Sequence, residues 1–478
     1  MGEPHHSSQL SQPLMATPLQ HYKGQCVHGY NTTQARAKNP DSGLHTMGEP
    51  HQSSQLSQPL IATPLQHHKG RCVHGYNTTQ AHAKKRLMKY VHEKKKDKHD
   101  LTSYQSKIPN NEDVVIKTNA YGFLPFPWFR RVFIVDYYGA TPNDARDDTK
   151  AFAKAWHDAC STGGVLVVPP GSTYHLKQIV FSGPCLPNTS FRVYGTIKAW
   201  PKMSAYEKDR LLWIKFLNVA NLSVDGGGTI NGNGRKWWET SCKINPTLAV
   251  QFLGCDNLSV TNLRFKNAQQ MHVRFQRCHN VTASNLIVKS PEHSPNTDGI
   301  HVTDTKNIVI MNSAIGTGDD CISIVSGSKD VLVTNVKCGP GHGISIGSLG
   351  VGHSKAEVSD VLVNRAFIIG TSNGVRIKTW QRSAVQVSNI IYQNIVGTSA
   401  SEEAIKFDCS KTVPCKGIYL QNVNLTPQEK HRGTIATCKN VEYANRGMLF
   451  PPLAKALTAC ESKVAENMID LIIMTFRR

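Results

Sequence analysis

A seven-residue phrase recurs through the second half of the chain, and its spacing limits the possible folds more than any other feature. It starts on a polar residue or glycine, alternates apolar and variable positions, and reaches an asparagine at the sixth place. The copies are Asn257-Leu-Ser-Val-Thr-Asn-Leu, Asn280-Val-Thr-Ala-Ser-Asn-Leu, Asn307-Ile-Val-Ile-Met-Asn-Ser, Asp330-Val-Leu-Val-Thr-Asn-Val, Asn389-Ile-Ile-Tyr-Gln-Asn-Ile and Gly417-Ile-Tyr-Leu-Gln-Asn-Val. The first four starts lie 23, 27 and 23 residues apart, and a degenerate copy begins at Asp360. A period of this length with no helical pattern between the copies means a solenoid of strands. Leucine-rich repeats share the period and the asparagine, but they need a denser leucine framework, and the strands here are β-branched. The reading is therefore an all-β parallel β-helix, each coil laid on the one below at roughly 4.8 Å. In it Asn262, Asn285, Asn312 and Asn335 stack at one turn and hydrogen-bond to one another. Cys255 and Cys278, two residues before their repeats, stack too, as buried free thiols in preference to a disulfide, which the spacing also allows.

The solenoid is expected over residues 133–460. A turn at Asp147-Asp148-Thr149 and an amphipathic run at 151–159 predict a short N-terminal helix that caps one end. Residues 113–132 read as a linker and 461–478 as a C-terminal tail. Residues 1–112 read as a disordered leader rich in His, Gln, Pro and Lys. The leader carries a tandem duplication, 1–46 and 47–92, in which residues 1–38 return almost unchanged as 47–84. Cys26 and His28, repeated as Cys72 and His74, are too few ligands for a coordination shell.

Charge narrows the partners. The chain carries a formal +20, and after its leader it still holds 40 Lys and Arg against 27 Asp and Glu. Such a body suits a polyanion: nucleic acid, anionic lipid or acidic polysaccharide. No stretch reads as a membrane span, since 123–135 is broken by prolines and arginines and 468–476 is short. Thirteen cysteines occur without a Cys-x-x-Cys pair. Cys321 and Cys338, Cys409 and Cys415, and Cys438 and Cys460 can close local loops, which favours an oxidising compartment. Glycosylation sequons at Asn188, Asn221, Asn257, Asn280 and Asn424 point the same way. Residues 1–20 hold no apolar stretch of signal-peptide length.

Three polar clusters sit at the edges of apolar strands: Asn296-Thr297-Asp298, Gly318-Asp319-Asp320 and Gly341-His342-Gly343. One coil apart, they fall on a single face, where Arg376-Ile-Lys378 adds two cations from the next rung. Two adjacent aspartates can both face outward only if the chain turns between them, for which Gly316 and Gly318 supply the freedom. Carboxylates this close do not all ionise, so at least one keeps its proton near neutrality. A retained proton beside carboxylates that can activate water is the equipment of glycosidic hydrolysis. Calcium binding is the competing chemistry; it ranks second because an imidazole is a poor calcium ligand and the two cations oppose a metal ion. Gly339-Pro-Gly-His-Gly and Gly347-Ser-Leu-Gly-Val-Gly lack the strand-to-helix context of a nucleotide loop and read as coil turns.

Ser294-Pro-Asn-Thr-Asp-Gly, Gly316-Thr-Gly-Asp-Asp-Cys, Gly339-Pro-Gly-His-Gly and Arg376-Ile-Lys together resemble the four signature motifs of plant polygalacturonases, glycoside hydrolase family 28. The likeness extends over about 133–460 and includes Asn231-Gly-Asn-Gly, Trp237-Trp238, Asn267-Ala-Gln-Gln and Glu403-Ala-Ile-Lys-Phe-Asp-Cys. It implies a single-stranded right-handed parallel β-helix that hydrolyses the α-1,4 bonds of polygalacturonate with inversion and without metal or cofactor. The resemblance makes Asp319 the general acid tuned by His342, and Asp298 with Asp320 the pair that activates water. Asn296 then helps position the site, and Arg376 and Lys378 bind sugar carboxylates. Inversion needs acid and base roughly 6.5 to 9.5 Å apart. The implied partner is pectin rather than nucleic acid, met by a secreted, cell-wall monomer. The chain departs from the pattern after Trp380. Roughly one to two coils that follow in the family, including one with a substrate-lining tyrosine, have no counterpart here. The alternative is thus a catalytically impaired pectin-binding β-helix.

Overall fold

The computed structural model describes residues 130–206, 212–240, 248–429, 433–453 and 460–462. The duplicated leader, nearly all of the linker and the C-terminal tail beyond 462 lie outside them. The described chain is a right-handed parallel β-helix. Ten parallel strands form one sheet, in sequence order from Ile179–Ser182 to Ile435–Lys439, while a second sheet of 18 strands wraps the rest of each coil.

The repeated phrase works because its two polar places are corners. Asn257, Asn280, Asn307, Asp330, Asp360 and Asn389 at the first position all have positive φ, as do Asn262, Asn285, Asn312, Asn335, Asn394 and Asn422 at the sixth. Asn and Asp tolerate the left-handed region that other side chains avoid. Each coil can therefore bend twice around a short apolar strand. The bonded ladder runs mainly through the first corner. Asn257 Nδ2 donates to Asn221 Oδ1 at 3.1 Å, Asn280 to Asn257 at 2.9 Å and Asn307 to Asn280 at 2.7 Å. In the expected column of Asn262, Asn285, Asn312 and Asn335, the bond found is Asn335 to Asn312, at 2.7 Å. Further along that corner Asn394 donates to Asn364 at 3.1 Å and Asn422 to Asn394 at 3.2 Å.

Inside, each rung of the ten-stranded sheet adds one large apolar residue to a column: Phe216, Phe252, Phe275, Val302, Ile324, Ile346, Ile377 and Phe407 are in register and no more than 1% exposed. Phe216, Phe252 and Phe275 stack with centroids 4.9 and 5.4 Å apart. Burying each such side chain stabilises by roughly 1.5–3 kcal/mol.

The N-terminal end of this core is covered by the helix Thr149–Thr162, whose buried Phe152, Ala155, Trp156 and Ala159 follow the i, i+3, i+4 stripe. Trp156 packs on Phe181, Phe191 and Phe216. The three local cysteine pairs are disulfides, and a fourth, Cys160–Cys185, ties the capping helix to the first coils. Cys255 and Cys278 are buried free thiols.

Candidate active site

Each polar cluster lies in the turn just before a strand of the ten-stranded sheet. Asp298 precedes Ile300–Thr303, Asp320 precedes Ile322–Ile324, and His342 precedes Ile344–Leu349. These three strands are neighbours, so the turns stack. Backbone bonds stitch them: Gly299 N–H to Asp320 O, His342 N–H to Asp319 O and Cys321 N–H to Gly343 O, each 2.9 Å. The disulfide Cys321–Cys338 anchors the middle turn from behind.

Gly316 and Gly318 matter for space rather than for the conformational freedom expected of them. Neither has positive φ. A Cβ on Gly318 would come within 2.0 Å of Ser294 O, and one on Gly316 within 2.6 Å of Gly339 O. The rungs approach so closely there that only hydrogen fits. The left-handed residues are Asn296, Gly339, Gly341 and Gly343.

The carboxyls divide by their partners. Asp319 Oδ1 meets His342 Nδ1 at 2.9 Å and accepts the Asp320 N–H at 2.8 Å, while Oδ2 accepts Asn296 Nδ2 at 3.3 Å. Burial pushes this carboxyl up, but the His342 hydrogen bond and charge, the backbone donor and Arg376 outweigh it and hold it below the usual range. The bond to Asp319 correspondingly raises the His342 imidazole. Asp320 behaves oppositely. Burial, with Asp298 and Asp319 nearby, overcomes Arg376 and Ser345 and pushes its carboxyl up to about 7. The surroundings thus favour the protonated forms of Asp320 and His342 and the ionised form of Asp319. That a carboxyl keeps its proton was expected from the crowding; which one depends on burial.

Asp298 Oδ2 accepts Ser323 Oγ at 2.7 Å, and His301 Nδ1 lies 3.6 Å from the same oxygen. Arg376 Nη2 donates to Asp320 Oδ1 at 2.8 Å and its Nε to Ser345 Oγ at 3.1 Å. The guanidinium is thus partly committed to the catalytic cluster. Lys378, two residues along the same strand, is exposed.

Asp319, Asp320 and His342 offer ligand atoms within 4.8 Å of one another. A cation there would have to displace the His342 bond and sit against the Arg376 guanidinium, so the donor set is better matched to protons than to a metal.

Sequence reasoning missed Ser323, Ser345, His301 and Asn373, which all touch the named residues or one another. A signal existed. Ile-Ser-Ile occurs at 322–324 and again at 344–346, one coil apart, with a hydroxyl in the centre of an otherwise β-branched strand.

The profile of Glycosyl hydrolases family 28 matches residues 160–396 and 381–448. Polygalacturonase QRT2 of Arabidopsis thaliana is 49% identical over 382 residues, covering 70% of this chain and 86% of that protein. Polygalacturonase-2 of Solanum lycopersicum is 46% identical over 404 residues, covering 74% and 86%. Among solved structures, the polygalacturonase from Erwinia carotovora ssp. carotovora superposes with a TM-score of 0.58 at 21% identity, covering 73% of this chain and all of that one. The resemblance in fold extends beyond what sequence identity alone carries.

Proposed function

The chain belongs to glycosyl hydrolases family 28, and from that premise we propose that it hydrolyses α-1,4-galacturonosidic bonds of polygalacturonate by an inverting acid–base mechanism. The observation that carries the proposal is the stacking of Asp298, Asp319, Asp320 and His342 in turns on three adjacent rungs, with His342 bonded to Asp319 at 2.9 Å.

In this mechanism water lies between Asp298 and Asp320 and attacks the anomeric carbon from the face opposite the leaving sugar. Its proton passes to Asp298, and the bond from the anomeric carbon to the leaving oxygen breaks. The leaving oxygen takes a proton from Asp319. Because its surroundings favour the ionised form of Asp319, that carboxylate is loaded first, and the raised His342 imidazole, 2.9 Å away, is the donor. Asp319 and His342 thus act together as the acid. Asn296 orients Asp319, while Lys378 and the unengaged N–H groups of Arg376 meet sugar carboxylates. The working setting is the cell wall, reached by secretion. Four disulfides support an oxidising compartment, and no described helix is long and apolar enough to cross a membrane. The protein acts as a monomer and carries N-glycans at exposed sequons.

The test is NMR of the first product released from polygalacturonate. The β-anomer is expected first, and an initial α-anomer would overturn the inverting assignment.

A second reading, a pectin-binding β-helix with impaired catalysis, has its own support. The family profile matches in two pieces that overlap over residues 381–396, just after Trp380. The rung stacked on Arg376 and Lys378 brings Lys406 and Asp408 opposite them and carries no tyrosine. Binding of oligogalacturonate without any product, unchanged in Asp319→Asn, would favour this reading.

A further inference from the structure

Four side chains occupy one outward column of the ten-stranded sheet on successive rungs: His301, Ser323, Ser345 and Arg376. They form two matching relays. His301 Nδ1 lies 2.7 Å from Ser323 Oγ, which donates to Asp298 Oδ2 at 2.7 Å. One coil later, Arg376 Nε donates to Ser345 Oγ at 3.1 Å, and that hydroxyl donates to Asp320 Oδ1 at 2.7 Å. Both serines are buried, at 2% and 1% exposure, so water does not substitute for these partners.

Resting on the hydrolase reading above, we propose that Ser323 and Ser345 are positioning residues that hold Asp298 and Asp320 as a matched pair, with His301 acting through Ser323 as Arg376 acts through Ser345. A serine hydroxyl has one proton to give. If Ser323 gives it to Asp298, His301 Nδ1 must itself carry a proton and donate it to Oγ. Arg376 Nε can only donate, so the second relay has the same polarity by necessity. Each relay occupies one oxygen of its carboxylate. No described donor meets Asp298 Oδ1 or Asp320 Oδ2, and these are the two oxygens left to take the attacking water. The relays therefore select which oxygen of each aspartate faces the water and prevent the carboxylates from rotating.

The blander account is that serine at these places merely keeps the groove open. It demands a small side chain and makes no demand on the proton of His301.

Two measurements on the intact chain separate the accounts. Nitrogen-15 spectra of the imidazoles, with His301 identified by its loss in His301→Gln, report which ring nitrogen is protonated. A proton on Nδ1, with or without one on Nε2, is expected, and its loss from Nδ1 in Ser323→Ala supports the relay. An imidazole protonated at Nε2 alone overturns it, because Ser323 would then donate to His301 and not to Asp298. This arm reads no activity, so it decides the relay even if the chain cleaves nothing. In the kinetic arm, Ser323→Ala and Ser345→Ala are each expected to lower kcat about 10²-fold with KM within about twofold. The hydroxyl-bearing Ser323→Thr and Ser345→Thr should recover most of the loss. Equal losses in the Ala and Thr variants, with their thermal stability intact, would assign the serines to space filling and overturn the proposal.

Discussion

The backbone N–H of Asp320 donates to Asp319 Oδ1 at 2.8 Å, one of the contacts that lower the Asp319 carboxyl while its neighbour Asp320 is raised. The lowered Asp319 and raised Asp320 are the chemical asymmetry of the site: at Asp319 the His342 bond and charge outweigh burial, and at Asp320 burial outweighs Arg376.

Asp320→Asn should stabilise the protein at alkaline pH and not at acidic pH. Between the ordinary carboxylate range and about 7, folded Asp320 keeps a proton that the unfolded chain has released. That contribution is full below the carboxylate range and is lost as pH rises to about 7. Asp319 has the opposite sign, its contribution being lost as pH falls below the carboxylate range. Unfolding at pH 8 is expected to show Asp320→Asn more stable than wild type by on the order of a few kcal/mol, with most of the difference gone at pH 4.5. A gain that is equal at both pH values would contradict the buried, proton-holding state.

Asn280→Ala should be more damaging than Asn280→Gly. Asn280 has φ of 54° and sits between Asn257 and Asn307 in the bonded ladder. Glycine loses the two side-chain bonds, about 0.5–1.5 kcal/mol each, but keeps the corner. Alanine loses the bonds and also strains the backbone, by roughly 1–2 kcal/mol more. Denaturant midpoints of the two variants test the order.

Gly318→Ala should cost both stability and activity. The added methyl would sit 2.0 Å from Ser294 O, a backbone atom that cannot swing aside. The turn bearing Asp319 and Asp320 must then move away from the turn bearing Asp298. A loss in kcat of about 10²-fold, accompanied by a lower melting temperature, is expected. A variant with unchanged kinetics would show that the close approach is not needed.

Much of this was legible because a solenoid turns sequence distance into rung distance. Once the repeat at Asn257, Asn280, Asn307 and Asp330 set the period, Asp298, Asp320 and His342 had to meet. The three local disulfides were legible for a similar reason, since their partners are close in sequence. The remainder depended on quantities that spacing does not carry. Gly316 and Gly318 resemble flexible hinges on paper, yet their role is set by the distance between rungs. Ser323 and Ser345 look like ordinary strand residues until the register aligns them with His301 and Arg376. The raised carboxyl is Asp320 because burial there outweighs Arg376, a cation that arrives 56 residues later in the chain. Cys160–Cys185 was missed because one partner sits on the capping helix and the other in a coil.

The account is tested most directly by the initial rate of reducing-end release from polygalacturonate, measured side by side for the intact chain and for Asp298→Asn. Release by the intact chain, reduced by at least about 10²-fold in the variant, is the predicted result. No release by the intact chain, or equal release by both proteins, would contradict the claim that these three rungs form a working hydrolytic site.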